Sequence, residues 1–580
     1  MSEETKCLPS VEKVWKKYLP EGAVDVGIDR CTAYEFLKKS NENNLGGNAI
    51  NYYGRKITYR SLFNNIVEYS NAFHAIGVKQ GDMISAITVG VPECIASIYA
   101  LNRLGATTNT IDPRMDVDSI KRMVKESGSR ITMILDVMFA KVAPILNELD
   151  QDMFLILPTT RSLPLIKKVA LNLKLKLRIP YGGKIVKWND FLSKGKGVMA
   201  EPVPYVGDAV VAITYTGGTT GFPKGVMITN DSMNSVAQNF QNWGLEYSPR
   251  QRFLGIIPVF SSYGLVCGMH MPFCMSQELV VVPKFDPLQF GALVKKYRPQ
   301  HMISTPAFYE MLMDSKEMEH ADLSFLITLG SGGDTMNEGL EEKLVKFMAD
   351  HNIRYPLAQG YGMSELSAAA TFCANDINKP RSVGIPSPTT TVGIFEPDTF
   401  KELGYNEIGE VCVTGPSMMK GYWNNPEETA NIMRKHDDGK VWIHSGDLGY
   451  LDEDGFLFII GRLKRMITRF DGHKVFPVNL ESAVMAFEDV RNCAVIGVRD
   501  RAHGQGNLPI VIVELVEGID KDEACRKVFQ YCNLHAEERG RPVAVIAVDE
   551  IPLTPMGKND FRALEDIYRD FDYTKLSYDE

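Results

Sequence analysis

Residues 214–229, TYTGGTTGFPKGVMIT, crowd glycines and threonine hydroxyls around a single proline and a single lysine. Backbone N–H groups can converge on an anion only where side chains leave room, so this composition suits a phosphate cradle. The run just before it, Ala209-Val210-Val211-Ala212-Ile213, is short, continuous and β-branched, and reads as a buried strand. A strand that ends in glycines and hydroxyls and runs on into a helix is the expected geometry. An ordinary glycine turn is the plain alternative, and the density of glycine and threonine favours the cradle. The loop is not a Walker A element, because Lys224 is followed by Gly225 rather than by Ser or Thr.

Further segments carry reactive residue types at short spacing. QGYGMSE (359–365) sets Gln359, Gly360, Tyr361, Gly362, Ser364 and Glu365 close together. IHSGDLGYLDEDGFLFIIGRLKRMI (443–467) puts Asp447 in what reads as a tight Ser-Gly-Asp turn, followed by Gly461 and Arg462. PLTPMGKNDF (552–561) places Lys558 behind a glycine in a proline-rich turn. Singly, each has an ordinary reading: aspartates form turns, and a lysine near a chain end is usually solvated.

Strand-like apolar runs alternate with helical patterns through the first three quarters of the chain. MISAITVG (83–90) precedes PECIASIYALNRLG (92–105), and ITMILDV (131–137) precedes FAKVAPILNEL (139–149). This alternation implies an α/β fold of mostly parallel sheets covered by helices. After about residue 460 the pattern turns to α+β, with NCAVIGVRD (492–500) and LPIVIVELV (508–516) as paired strands and a helix over 521–539. The expected organisation is a large N-terminal domain over 1–460 with a small β subdomain, a hinge at 461–464, and a small mobile α+β domain over 465–580.

A chain of 580 residues exceeds what one core supports, while 44% apolar and 23% charged residues are ordinary for a globular protein. The net charge of −9 argues against a general nucleic-acid binder. Ten scattered cysteines without a Cys-x-x-Cys pair point to reduced thiols rather than a zinc ribbon or a disulfide framework. The start lacks a signal-peptide core, no charge-free run spans a bilayer, and KLSYDE is no targeting signal, so a cytoplasmic location is expected. One segment departs from the mean. Residues 161–196 carry Arg161, Lys167, Lys168, Lys174, Lys176, Arg178, Lys184, Lys187, Lys194 and Lys196 against Asp190 alone, with leucines interleaved. It is either a solvated face between strands, the commoner outcome, or a surface for an anionic membrane or an acyl substrate.

Taken together and in this order, the motifs resemble those of the adenylate-forming superfamily: acyl-CoA synthetases, peptide-synthetase adenylation domains and beetle luciferases. The resemblance runs from AINYYGRKITYRSL (49–62) to Lys558, with Gly217 where the loop motif usually has serine, a form seen in fatty-acyl–CoA ligases. It implies that Thr216, Gly217, Gly218, Thr219, Thr220, Gly221 and Lys224 embrace the β- and γ-phosphates of ATP, and that Glu365 with Thr219 holds Mg²⁺. Tyr361 would stack on adenine. Gly332 and Gly333, with Gln359, Gly360, Gly362 and Ser364, would let backbone approach the nucleotide. Asp447 would take the ribose hydroxyls, supported by Arg462, and Lys558 would neutralise the α-phosphate as the carboxylate attacks. Lys464 would be the hinge, and Gly472, His473 and Lys474 would swing in to build a CoA tunnel.

Phe260, Ser261, Tyr263, Thr305, Gly330 and Ser331 are the expected acyl-pocket walls, apolar or hydroxylic. An amine substrate would need a buried acid there, so an apolar carboxylic acid is expected, fatty or aromatic. Ser261 stands where the family usually has histidine, and Asn479 where PVNLE (477–481) usually has glutamate. The activity implied is AMP-forming ligation of the acid to CoA. A fatty-acyl-AMP ligase serving a separate carrier protein is the nearest alternative, since no carrier domain is expected in the 22 residues beyond Lys558. A non-catalytic nucleotide-binding regulator would have lost Lys558, Glu365 or the loop.

Overall fold

A computed structural model of the chain describes residues 7–24, 26–216, 222–397, 399–553, 559–576 and 578. Two large sheets form its frame. In the first, Ile185–Lys187, Met153–Leu157, Ile131–Leu135, Met83–Ile87, Thr107–Ile111 and Val210–Tyr215 lie side by side and parallel, and Gly225–Thr229 closes the edge antiparallel. In the second, Ala358–Tyr361, Thr328–Ser331, His301–Ser304, Arg252–Gly255, Glu278–Val281 and Asn48–Tyr52 run parallel, with antiparallel strands at both ends.

The apolar runs are continuous because helices cover these sheets. Thr107–Ile111 and Ile131–Leu135 are buried at every position. Helix Pro92–Arg103 begins on proline and is buried along its whole length. Helix Asn230–Asn242 is tied in by Asn230, whose Oδ1 accepts from Ala33 N at 3.0 Å and from Asn102 Nδ2 at 2.9 Å. All ten cysteines are free, and among the described residues no helix is long and apolar enough to cross a membrane.

A smaller antiparallel sheet follows: Thr391–Phe395, Gly409–Thr414, Val441–Leu451 and Met433–Lys435, with Leu457–Arg462 pairing on Val441–Leu451. The C-terminal part holds the strand pair Val490–Arg499 and Asn507–Leu515, extended in parallel by Ala544–Val548, with helix Lys521–His535 packed on it.

Three local expectations change. The glycine loop joins two antiparallel strands, Val210–Tyr215 and Gly225–Thr229, so the chain returns to the sheet before helix Asn230–Asn242 begins. Gly225 permits this close return: a Cβ there would meet Ile213 Cγ2 at 2.9 Å. The Ser445-Gly446-Asp447 stretch is no tight turn but a bulge inside the long strand Val441–Leu451, where the register shifts between Glu410 and Cys412. Gly446 takes φ +69°, which a bulge of this kind demands. The basic segment is not uniform either. Its second half enters the frame through Ile185–Lys187 and helix Trp188–Lys194, whose Trp188, Phe191 and Leu192 are buried.

Candidate functional site

Three segments far apart in sequence meet at the ends of these strands. Tyr361 closes the strand Ala358–Tyr361, and its hydroxyl donates to Asp447 Oδ2 at 2.6 Å. The other oxygen of Asp447 pairs with Arg462 Nε at 2.8 Å. Strand pairing explains this contact, because Asp447 and Arg462 face each other across Val441–Leu451 and Leu457–Arg462. The bulge then turns the Asp447 carboxylate toward Tyr361, and Ser445 Oγ accepts from the Asp447 N–H at 3.0 Å. Burial, then the Asp447 charge, pushes the Tyr361 hydroxyl well above the usual phenol range, so it stays a donor.

Behind the bulge lies a buried polar chain. Glu410 Oε1 accepts from Gly446 N at 3.0 Å, its Oε2 lies 2.8 Å from His444 Nδ1, and His444 Nε2 meets His436 Nε2 at 2.8 Å. Burial raises the Glu410 carboxyl, but the bond and charge of His444 outweigh it and bring the group below its ordinary value. Glu410, Cys412 and His444 are the group of metal-ligand types gathered among the described residues. Glu410 and His444 are already bonded to each other and to the bulge they support.

Glu365 stands one turn beyond Tyr361, in the short helix Ser364–Leu366. Its Oε1 accepts from the Tyr422 hydroxyl at 2.6 Å, and its other oxygen has no side-chain partner among the described residues. Burial raises its carboxyl above its ordinary value, opposed by the Tyr422 bond and by the charges of Arg462 and Lys224. Lys224 lies 5.0 Å over the Tyr422 ring and forms an ion pair with Glu428. Sequence reasoning did not single out Tyr422, Glu428 or Ser445. Nothing local marks Tyr422, which reaches Glu365 across 57 residues of sequence.

The glycines divide by cause. A Cβ on Gly362 would sit 1.6 Å from the Ala368 carbonyl oxygen, and one on Gly360 would meet Phe372 at 2.9 Å. Both therefore make room for this chain's own folding. Ser367 and Ala368, at φ +52° and +104°, fold the backbone back onto Gly362, a conformation side chains rarely adopt. A Cβ on Gly332 would meet Gly360 O at 3.3 Å and the Tyr263 hydroxyl at 3.4 Å, and one on Gly333 would meet the Tyr263 ring at 3.6 Å, so Tyr263 lies along the Gly332-Gly333 backbone. Thr305 lies beside it, and Gly330 O accepts from Tyr309 at 2.6 Å. Gln359 and Ser331 are neighbours in register, and both are buried.

Ser261 acts on the backbone: its Oγ donates to Pro258 O at 2.8 Å and accepts from Gly264 N at 3.1 Å, starting the π-helical segment Tyr263–His270. Phe260 is buried beneath the Arg114 guanidinium at 5.1 Å.

Gly217, Gly218, Thr219, Thr220, Gly221 and Lys558 lie outside the described residues. The flanks of both segments are described. Thr216 N donates to Lys224 O at 3.0 Å, and Asn559 holds Cys493 O at 3.0 Å next to the Leu553–Asn559 bridge. Gly472, His473 and Lys474 occupy the Ile467–Thr468/Lys474–Val475 hairpin. His473 bonds Asp471 and faces Glu537 at 3.7 Å, so the described contacts of this hairpin are C-terminal. Lys464 is exposed, between Arg462, held by Asp447, and Arg465, held by Glu481 and lying 3.5 Å from the Phe561 ring.

Two family profiles cover this frame: AMP-binding enzyme over residues 37–423 and AMP-binding enzyme C-terminal domain over residues 479–558. The chain belongs to the AMP-binding enzyme family. It is 30% identical over 526 residues to a long-chain-fatty-acid–CoA ligase of Bacillus subtilis (strain 168), covering 88% of this chain and 90% of that protein. It is also 28% identical over 528 residues to 4-coumarate–CoA ligase 1 of Arabidopsis thaliana, covering 88% of each. Among solved structures, ATP-bound MatB from Rhodopseudomonas palustris matches with TM-score 0.78 at 24% identity, over 93% of this chain and 99% of that one. The anthranilate CoA ligase AuaEII in complex with anthranoyl-AMP matches with TM-score 0.79 at 20% identity, over 94% and 98%. At such identities the structural likeness speaks for the fold: a large N-terminal α/β domain and a C-terminal domain.

Proposed function

We propose that this AMP-binding enzyme activates an apolar carboxylic acid, fatty or aromatic, as its adenylate and passes the acyl group to CoA. The observation that carries the reading is the convergence of Tyr361, Asp447 and Arg462 beside Glu365 at the strand ends of a matched AMP-binding domain. In the first half-reaction a carboxylate oxygen attacks the α-phosphorus of ATP and the bond to the bridging oxygen breaks, releasing pyrophosphate. In the second, the CoA sulfur attacks the acyl carbon and AMP leaves with the former carboxylate oxygen.

The residues have distinct parts in this reading. Asp447, oriented by Arg462 and by the bulge, accepts from the ribose hydroxyls, and Tyr361 borders the base. Thr216, Lys224 and the glycine–threonine loop receive the outgoing phosphates, for which Lys224 exchanges its bond to Glu428. Glu365 fits a hard divalent cation, because a buried carboxylate with an oxygen free of side-chain partners among the described residues gains from a counter-charge. Bound there with Thr219, Mg²⁺ would withdraw charge from the ATP phosphates. Lys558 neutralises the α-phosphate during attack.

Phe260, Tyr263, Thr305, Gly330 and Ser331 are themselves uncharged, and the Arg114 guanidinium over Phe260 is paired with Asp112, which fits an apolar substrate. Ser261 contributes through its hold on Gly264. Arg462 and Arg465 anchor to opposite sides of Leu463-Lys464, which supports a hinge at that pair and a C-terminal domain that turns to bring Gly472, His473 and Lys474 to CoA. A cytoplasmic location fits, with contact at a membrane surface through residues 161–196. Pyrophosphate and AMP release against a panel of acids, with CoA, with a holo-carrier protein and with neither, tests the proposal. AMP formation with the carrier and none with CoA would replace it by the acyl-AMP ligase alternative.

A further inference from the structure

Helix Leu165–Leu175 has no buried residue, yet half of it is leucine, isoleucine or valine. At 100° per residue, Leu165, Val169, Leu173 and Ile166 fall within an arc of about 100° on one face. That face looks into solvent: Leu165 is 76% exposed, Ile166 85% and Leu173 69%. The helix is fastened to the body of the protein by Leu171 and Lys167 on the opposite face and by Asn172 at the edge of the stripe. Leu171 packs on the main core, Asn172 Oδ1 accepts from Thr160 at 2.9 Å, and Lys167 Nζ donates to Tyr53 O at 2.9 Å. The helix is thus held in place while Leu165, Ile166, Val169 and Leu173 point outward.

Charge says what covers them. Lys174, Lys176 and Arg178 follow the stripe without an acidic partner among the described residues, and exposed Leu177 and Tyr181 alternate with them. Residues 161–196 hold ten basic residues and one acid in a chain of net charge −9. A second copy of so basic a face would be repelled, whereas an anionic surface with an apolar interior matches both features.

We propose that helix Leu165–Leu175 and the basic strand of chain after it form a docking surface for an anionic lipid bilayer. Leu165, Ile166, Val169 and Leu173 enter the headgroup–acyl boundary, and Lys174, Lys176 and Arg178 meet the lipid charges. This deepens the membrane contact of the proposed function, but its test reads lipid binding alone and is independent of ligase activity.

The full chain is mixed with phosphatidylcholine vesicles, with and without phosphatidylserine, and separated by flotation at low and high salt. Binding is expected to need phosphatidylserine and to weaken with salt. The triple variant Lys174→Glu/Lys176→Glu/Arg178→Glu is expected to bind at least a hundredfold more weakly, at roughly fivefold for each charge removed. The variant Leu165→Ser/Ile166→Ser/Leu173→Ser is expected to lose binding at least tenfold while its melting temperature stays within a degree or so of the parent, since these side chains are exposed. Equal binding by the parent and either variant, or no binding by the parent, overturns the proposal. So does a parent that sediments as a dimer and becomes monomeric in the leucine variant, which would assign the face to a second copy.

Discussion

Tyr422→Phe isolates a single contact in the candidate site. It removes the hydroxyl that donates to Glu365 Oε1 at 2.6 Å and keeps the ring that Lys224 covers at 5.0 Å. Tyr422 is 5% exposed and Glu365 7%, so solvent cannot replace the lost donor. A hydrogen bond to a charged group contributes about 1.5–3 kcal/mol, and leaving a buried carboxylate short of a donor forfeits that range. At about 1.4 kcal/mol per factor of ten, adenylation should fall roughly ten- to a hundredfold where Glu365 must be ionised. The pH profile adds a signature. Burial already raises the Glu365 carboxyl and the Tyr422 bond opposes it, so deletion of the bond raises it further. Activity that needs the carboxylate is lost as pH falls through that value, so the acid limb of the variant should move to higher pH. Single-turnover pyrophosphate release without CoA measures both effects. The double variant Glu365→Gln/Tyr422→Phe should be no slower than Glu365→Gln alone, because the hydroxyl acts through that carboxylate. Parental rates across the pH range, or additive losses in the double variant, would refute the reasoning.

Gly362→Ala should abolish soluble expression or lower the melting temperature sharply, because its Cβ would lie 1.6 Å from Ala368 O. Gly446→Ala, at φ +69° with no atom within 4 Å, should lose only about 1–2 kcal/mol, read in the same melt. Lys558→Ala should abolish acyl-AMP formation and spare thioester formation from supplied acyl-AMP; a mutant that adenylates at the parental rate removes the role. Lys464→Pro should slow exchange between half-reactions while each proceeds alone from its own substrates, and unchanged overall turnover would exclude the hinge.

The sequence by itself determined the periodicities and the local chemistry. Short, mostly apolar runs such as Ile131–Leu135, bounded by turn residues and alternating with helical patterns, read as strands covered on both faces, and the parallel sheets follow. The alternation of strand and helix and the α+β character after residue 460 were likewise readable, because each depends on neighbours in the chain. Tertiary structure decided whatever depends on pairing across long separations. The register of Asp447 against Arg462 makes their ion pair, and the strand opposite Gly446 turns a supposed tight turn into a bulge. Gly362 is glycine because Ala368 folds onto it, and Tyr422 matters because it lands on Glu365. The basic segment is the sharpest case. Its sequence reads as amphipathic throughout, but only packing sends Trp188, Phe191 and Leu192 inward and leaves Leu165, Ile166 and Leu173 in water. A side chain's type limits what it can do, and what it faces depends on elements that the local sequence does not contain.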